Sequence, residues 1–511
     1  MTKKTIQKKI LLLDDLIKKV ENLKKEGKII VQSHGIFDLI HPGIIKHLNE
    51  AKEQGDVLLV TVIKDKDVRR GPGRPIFLEN LRVENVASLE QVDYTSLVDD
   101  EIPFGCVKNI KPDVFAKGQT YKDRDRKIHE KIFDEEKDFY FGKSEIYETG
   151  GFSFSSSQII NNFLDIYPDE TKHFLKEFSS KYSFDEIVEN LNILKKMKVM
   201  IIGDGIIDEY HYCEFMGKSA KSPIIVNKYI THEVFAGGAF IIANHIAGLC
   251  DNVELVTLLG KEDSREDSIL NNLKPNIGTK FFYRENGPTT CKKRYINQYL
   301  NQKLFEINYL NDNYVSEECE RDIINYLKAT IPEYDLVLIP DYGHGFITDK
   351  IIKVIENISR TFAVNTQTNA ANAGYNMITK YRNPNFVCLD ETEARLGTHD
   401  RFGNIEDIAQ KLSIALNAES IIITLGKKGS IGINRKNDIN RTPIFSTKVV
   451  DTVGAGDAFF AFTAPCFVQG MSLDIVSFIG NAAGALAVQI VGNKKPVEKH
   501  ELFEFIHTIL K

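Results

Sequence analysis

The chain is poor in the features that mark secreted, membrane-spanning or nucleic-acid-binding proteins. Its 511 residues include seven cysteines, an odd number, scattered and without a Cys-x-x-Cys pair. That usage points to reduced thiols in a cytoplasm and argues against a disulfide framework or a cysteine metal centre. A surplus of positive charge is also missing. Sixty-five basic residues face 71 acidic ones, for a formal charge of −6. Such a balance gives no reason to expect nucleic acid or an anionic membrane as a partner. No apolar run is long enough to cross a bilayer. The first residues, Met1-Thr2-Lys3-Lys4-Thr5, lead into a charged amphipathic stretch rather than a signal peptide. Neither an internal repeat nor a low-complexity tract is visible. What is there, 42% hydrophobic and 27% charged residues, is the composition of a soluble globular protein. The length calls for two or three domains.

Periodicity divides the chain. Residues 10–27 carry Leu and Ile at helical spacing, and 28–33 form an apolar strand. A helix from Ile44 to Gln54 and a second strand at 56–63 follow. Strand, helix and strand with short connections predict a parallel α/β sheet. Further strands are expected at 113–117 and 144–148, and this block closes near residue 165. Residues 166–195 are polar and helix-prone, either a helical connector or a helix packed on one domain. A second α/β block starts at 198–203, with strands near 253–258, 335–340, 361–365 and 419–424, and ends in helices from 457. The expected division is 1–165, 166–195 and 196–511.

The richest stretch is Asp451-Thr452-Val453-Gly454-Ala455-Gly456-Asp457, before the run Ala458-Phe459-Phe460-Ala461. Small residues let the backbone turn so that successive N–H groups converge. The apolar run reads as a buried helix, so those groups sit at its positive end, which suits a phosphate or a developing anion. Asp457 at that mouth can take a proton from an attacking hydroxyl. The pattern suggests phosphoryl transfer to an alcohol.

The string resembles the C-terminal signature of the ribokinase-like (PfkB) carbohydrate kinases. The resemblance implies Asp457 as catalytic base and the amides of Gly454, Ala455 and Gly456 as anion hole. It implies a sugar-binding aspartate at Asp208 or Asp204 and a sugar-binding turn at Gly237 and Gly238. Thr424, Gly426 and Gly429 resemble the nucleotide-binding turn, and Asn481 falls where a residue meets the base. In the magnesium-associated motif Cys388 replaces an asparagine, leaving Glu391 as the metal residue. Residues 203–217, 289–298 and 341–345 are similar to the heptose 7-phosphate kinase half of ADP-heptose synthases. Lys292 and Arg294 then become phosphate contacts of the acceptor, with Asp341 beside them. ATP and Mg²⁺ are the implied cofactors. Related kinases commonly dimerise, so a homodimer is among the implied assemblies.

The first block carries His34-Gly35-Ile36-Phe37-Asp38-Leu39-Ile40-His41-Pro42-Gly43-Ile44 after a buried strand. It resembles the signature of the cytidylyltransferase-like superfamily, in which a nucleoside triphosphate lies over a helix N-terminus. The resemblance implies nucleotide binding by Gly35, Phe37 and Gly43, and stabilisation of phosphate charge by His41. Lys64, Arg69, Arg70 and Arg74 form a basic loop suited to a triphosphate. Residues 111–121 resemble the family's Lys-Pro-Asp strand, and Ser155 and Ser156 its late phosphate-holding helix start. Ile44 stands where the second signature histidine belongs, with His34 and His47 as nearby substitutes. ATP or CTP is the implied nucleotide. The fold class expected is α/β in two domains, an N-terminal Rossmann-like nucleotidyltransferase fold and a C-terminal ribokinase-like fold. The pair resembles the halves of an ADP-heptose synthase in reversed order, acting on a small sugar or sugar phosphate.

Overall fold

The structure, a computed structural model, describes residues 3–68, 74–99, 105–118, 144–150, 166–300, 302–370, 372–446 and 448–511. It divides into two compact units, Met1–Pro168 with Phe503–Lys511, and Asp169–Leu502.

The first unit is built on five strands: β1 (Ile30–Gly35), β2 (Val57–Ile63), β3 (Tyr94–Val98), β4 (Val114–Gly118) and β5 (Glu145–Thr149). Their order is β3-β2-β1-β4-β5, and every pair is parallel. Runs such as Val57–Ile63 are apolar on both faces because helices cover both sides of a parallel sheet. Ile30, Leu59 and Phe115 pack into one core, while Val31, Leu58, Val60 and Val114 pack into another across the sheet. The helix Pro42–Lys52 follows β1. Strand order reverses between β1 and β4, and the crevice at their carboxyl ends is the usual ligand position of such sheets.

In the second unit the chain runs through β6 (Lys198–Ile202), β7 (Gly205–Lys218), β8 (Ile225–Gly238), β9 (Asn252–Gly260), β10 (Ile277–Arg284), β11 (Cys291–Asn297) and β12 (Gln302–Tyr309). It continues through β13 (Leu336–Asp341), β14 (Phe362–Thr366), β15 (Phe386–Asp390), β16 (Ser420–Thr424), β17 (Ser430–Asn434) and β18 (Ile439–Thr442). The large sheet has the order β10-β9-β6-β13-β14-β15-β16-β17-β18, parallel as far as β16 and antiparallel beyond. Met200, Ile339, Val364 and Ile421 of this sheet share a core with Ile323, Ile351 and Ile408 of its helices. A second sheet, β12-β11-β7-β8, pairs four strands. Sequence periodicity does not announce it, because its strands show neither an unbroken apolar run nor a strict polar–apolar alternation, and β12 is exposed throughout.

Residues expected to be helical between the two blocks form helices Asp169–Lys181 and Phe184–Ile193, both within the second unit. Phe178 stacks on Phe478 with centroids 4.1 Å apart, and the Thr171 hydroxyl donates to the Ile444 carbonyl at 3.2 Å. The helix Ala455–Val468 is buried on nearly every side, as an all-apolar helix must be.

Candidate active sites

In the second unit a cavity of about 350 Å³ opens between the carboxyl ends of the large sheet and the inner face of the small one. Asp457 lies at its floor, in the first turn of Ala455–Val468. Its Oδ1 accepts from the Tyr342 hydroxyl and the Gln367 amide, each at 2.6 Å. Among the described residues none donates to its Oδ2. Burial pushes its pKa up to about 6, against the pull of the two hydrogen bonds and of Lys292, and Asp208 adds to the rise. A buried carboxylate with a pKa near neutrality, one oxygen held and one open, is the geometry of a general base.

Gly454 caps the same helix at φ 82°, and a Cβ there would lie 1.9 Å from Asn493 Oδ1. Only glycine satisfies both demands. The Ala455 amide donates to the Thr452 carbonyl at 3.3 Å, and the other first-turn N–H groups have no helical carbonyl to bond. Asp208 faces them from β7. Its Oδ1 pairs with Arg294, and its Oδ2 accepts from Asn493 at 3.1 Å. A Cβ at Gly237 would lie 2.3 Å from that same Oδ2, so glycine there makes room for the carboxylate. Arg294 also binds Glu306 at 2.8 Å, whereas among the described residues no carboxylate pairs with Lys292.

The structure thus brings Asp208, Gly238, Lys292, Arg294, Thr424, Gly454, Gly456 and Asp457 to one cavity. Other expected residues do not line it. Asp204 accepts from the backbone of Tyr342 at 3.0 Å and His344 at 3.3 Å, holding the loop after β13. Burial, and Asp341 beside it, push its pKa up to about 7. Asp341 is fully buried, bound by the Tyr381 hydroxyl and Lys380, each at 2.6 Å. Asn481 donates to Ser430 Oγ at 2.6 Å and to the Ser477 carbonyl at 2.8 Å. Gly426 (φ 56°) and Gly429 (φ 85°) shape the turn after β16 without lining the cavity. Ala455 and Gly237 stand just behind it. Glu391 turns aside to Arg395 at 2.7 Å. Glu393, two residues further along the same helix, lines the cavity instead. Its two oxygens cap the backbone of Thr368 at 3.1 Å and Asp390 at 2.8 Å. Burial and the neighbouring Asp390 push its pKa up to about 8.

Sequence reasoning missed Tyr342, Asn365, Gln367, Glu393 and Asn493. All but Asn493 and Glu393 sit at or just past a strand's carboxyl end, and polar residues in such places were the available signal. The cavity also fits a hard cation carried in with a nucleotide. Asn365 Oδ1 is buried without a partner, and Asp390 and Glu393 supply carboxylates. No cluster of three or more His, Cys, Asp or Glu is placed for a metal among the described residues. Mg²⁺ needs no such cage, because it keeps waters and takes one or two carboxylates plus phosphate.

In the first unit Gly35 ends β1, and Phe37, His41 and Gly43 follow in the loop and at the start of Pro42–Lys52. Phe37 adopts φ 50° and is nearly buried. Asp38 accepts from the backbone of Ile76 at 2.8 Å and Phe77 at 2.9 Å. Fully buried Arg82 donates to the carbonyls of Ile36 and Ile63 and to Asp65 at 2.7 Å. Neither tie was expected from the motif, and together they fix the loop that carries it. His41 occupies the cap of Pro42–Lys52 without a side-chain capping bond. Its Nδ1 is buried without a protein partner, and burial lowers its pKa. Ile44 packs into the core around Val31 and Leu48. His47 is no substitute donor, because its ring nitrogens bond Ser33 Oγ at 2.8 Å and Thr149 Oγ1 at 2.7 Å. Burial holds its pKa down at about 4. His34 Nδ1 engages Thr61 Oγ1 at 2.9 Å. Lys64 pairs with Asp99 at 2.7 Å, and Arg74 is nearly buried. Arg69, Arg70, Ser155 and Ser156 lie outside the described residues.

A mostly parallel sheet with a buried carboxylate at a helix N-terminus and a second sheet across the cavity defines a ribokinase-like α/β fold. Residues 196–500 match the pfkB family carbohydrate kinases, and the chain belongs to that family. Residues 33–162 match the cytidylyltransferase-like family. The bifunctional protein HldE of a Nitratiruptor species is 26% identical over 301 residues, 58% of this chain and 62% of that protein. Its counterpart in Haemophilus influenzae (strain PittEE) is 25% identical over 315 residues, 61% of this chain and 64% of the relative. The chain thus spans a little over six-tenths of the length of these curated relatives. Phosphofructokinase-2 from Escherichia coli, crystallised with substrates and products, superposes with a TM-score of 0.50 at 14% identity. That match covers 62% of this chain and all of the other, and it shows the shared fold.

Proposed function

We propose that the protein is a bifunctional enzyme. Its second unit phosphorylates a hydroxyl of a heptose-like sugar or sugar phosphate from ATP. Its first unit then joins a phosphorylated sugar to a nucleotide from ATP or CTP, giving an activated sugar for a surface polysaccharide. The observation that carries the kinase reading is Asp457, buried with one oxygen open over a helix N-terminus in a 350 Å³ cavity.

In this reading Asp208, oriented by Arg294 and Asn493, binds acceptor hydroxyls. Asp457 takes the proton of the attacking hydroxyl through Oδ2. The amides of Gly454, Ala455 and Gly456 receive the charge on the transferring phosphoryl group. Lys292, which no carboxylate among the described residues engages, adds its charge there or at an acceptor phosphate. Thr424 and the turn at Gly426 and Gly429 line the nucleotide side, with Asn481 supporting that turn through Ser430. Asn365, Asp390 and Glu393 would hold Mg²⁺, which neutralises nucleotide phosphate charge when bound; Glu391 would support them. Asp204 and Asp341 act by shaping the loop that carries Tyr342. In the first unit His41 and the start of Pro42–Lys52 would hold the α-phosphate, with Lys64 and Arg74 near the triphosphate. The order of the halves, nucleotidyltransferase before kinase, is reversed relative to that of ADP-heptose synthases. A cytoplasmic homodimer fits this reading, and it calls for no nucleic acid or membrane partner.

A specific observation favours a second reading, in which the kinase is active and the first unit only binds nucleotide. Ile44 is part of a core, and His47 is committed through both ring nitrogens. Phosphorus NMR with Mg²⁺, ATP, CTP and a panel of sugars and sugar phosphates separates the two. A new phosphoester together with a pyrophosphate diester supports the bifunctional enzyme. A phosphoester alone, with sugar 1-phosphates supplied, supports the second reading. No phosphoester from any acceptor would sink both.

A further inference from the structure

Asp451 opens the glycine loop, yet its carboxylate is not in the cavity. It is almost buried and takes four hydrogen bonds. Oδ1 accepts from Lys303 Nζ at 2.6 Å and from the Val453 amide at 3.2 Å. Oδ2 accepts from the Tyr210 hydroxyl at 2.8 Å and from the Gly492 amide at 3.0 Å. Lys303 and Tyr210 belong to the small sheet, which also carries Asp208, Lys292 and Arg294. Register shows how Lys303 arrives there. Tyr295 pairs with Phe305, but the next residue, Ile296, pairs with Lys303, so Leu304 is extra. Residues 303 and 305 would share a face in a regular strand, and the bulge turns Lys303 to the opposite one. There it lies beside Ile296 and the Tyr210 ring, whose centroid is 5.6 Å from Nζ.

We propose that Lys303 is a positioning residue for phosphoryl transfer: through Asp451 it locks the anion-hole loop to the sheet that binds the acceptor. The inference rests on the kinase reading above. Acceptor contacts and loop anchor then move as one body, so the anion hole is complete when that sheet is seated. With Lys303 gone, Asp451 keeps its neutral donors but loses its counter-charge, and the loop loosens.

The test uses the full chain with Lys303→Met and Lys303→Arg. Two readouts are compared with wild type: steady-state transfer from ATP to heptose 7-phosphate, and amide exchange of residues 452–457 without substrate. A charge-assisted bond with a half-exposed partner sits at the low end of its range, so the Met variant should lose about tenfold in kcat. Its KM for ATP should stay within about twofold. Exchange at 452–457 should speed up by about tenfold, and the Arg variant should recover most of both. Wild-type kcat and exchange in the Met variant would overturn the proposal. So would a loss carried by KM, or one that arginine does not rescue. If wild type transfers no phosphate to any sugar or sugar phosphate of the panel above, the kinase reading falls, while the exchange comparison still decides whether Lys303 holds the loop.

Discussion

In the proposed reactions single side chains matter most, and each gives a prediction at its own scale. Asp457 works as a base only when ionised, and its pKa lies at about 6. Activity should therefore be level above that pH and fall about tenfold per unit below it. Lys292 favours the ionised form, so Lys292→Met should move the acid limb of kcat to higher pH. Asp457→Asn should lower kcat by about 10²–10⁴-fold while nucleotide binding, followed by calorimetry, persists. In the first unit Ile44 cannot donate a hydrogen bond. One preorganised donor is worth about 10²–10³ in rate, so Ile44→His should raise pyrophosphate release by a measurable part of that factor. An unchanged rate would show that the side chain at position 44 stays with the core and does not reach the α-phosphate. Both motifs were readable as residue strings. That Glu393 rather than Glu391 faces the cavity was not, because it depends on where the helix Glu391–Thr398 begins and on the pairing of Glu391 with Arg395.

At the scale of elements, the loop 451–457 is coupled to β7 through Asn493, against which Gly454 leaves no room for a β-carbon. Gly454→Ala would strain a left-handed φ and push Asn493, which in turn holds Asp208. Displacement of about 1 Å in such a constellation costs on the order of 10² in rate, so kcat for phosphoryl transfer should drop by about that much. The melting temperature should change far less than the rate, since the loop is at the edge of the core. The same glycine string is visible in the sequence, but its partner Asn493, far along the chain, is not. Likewise the small sheet escaped the sequence reading. Its long strands β7 and β8 are only half apolar, and β12 becomes useful through a bulge that no local pattern marks.

For the whole molecule, a ligand of one unit should shift that unit's unfolding. Calorimetry with ATP and Mg²⁺, and with CTP and Mg²⁺, should raise a transition by about 2.7 kcal/mol at a hundred times the dissociation constant. If CTP moves the transition of the first unit, identified as the one that the core variant Leu59→Ala lowers, the first unit is a cytidine-nucleotide site; if only ATP acts, base choice lies with adenine. The sequence by itself determined two α/β blocks and the strand-loop-helix motifs, one of which places Asp457, the proposed base, in a helix's first turn, because hydrophobic period and glycine placement are local properties. Only the tertiary structure decided which carboxylates face the cavity and which serve the loops behind it. It also decided that His47 is a strap rather than a donor, and that Lys303 reaches Asp451. Those outcomes depend on burial and on contacts between residues far apart in the chain, which no window of sequence contains.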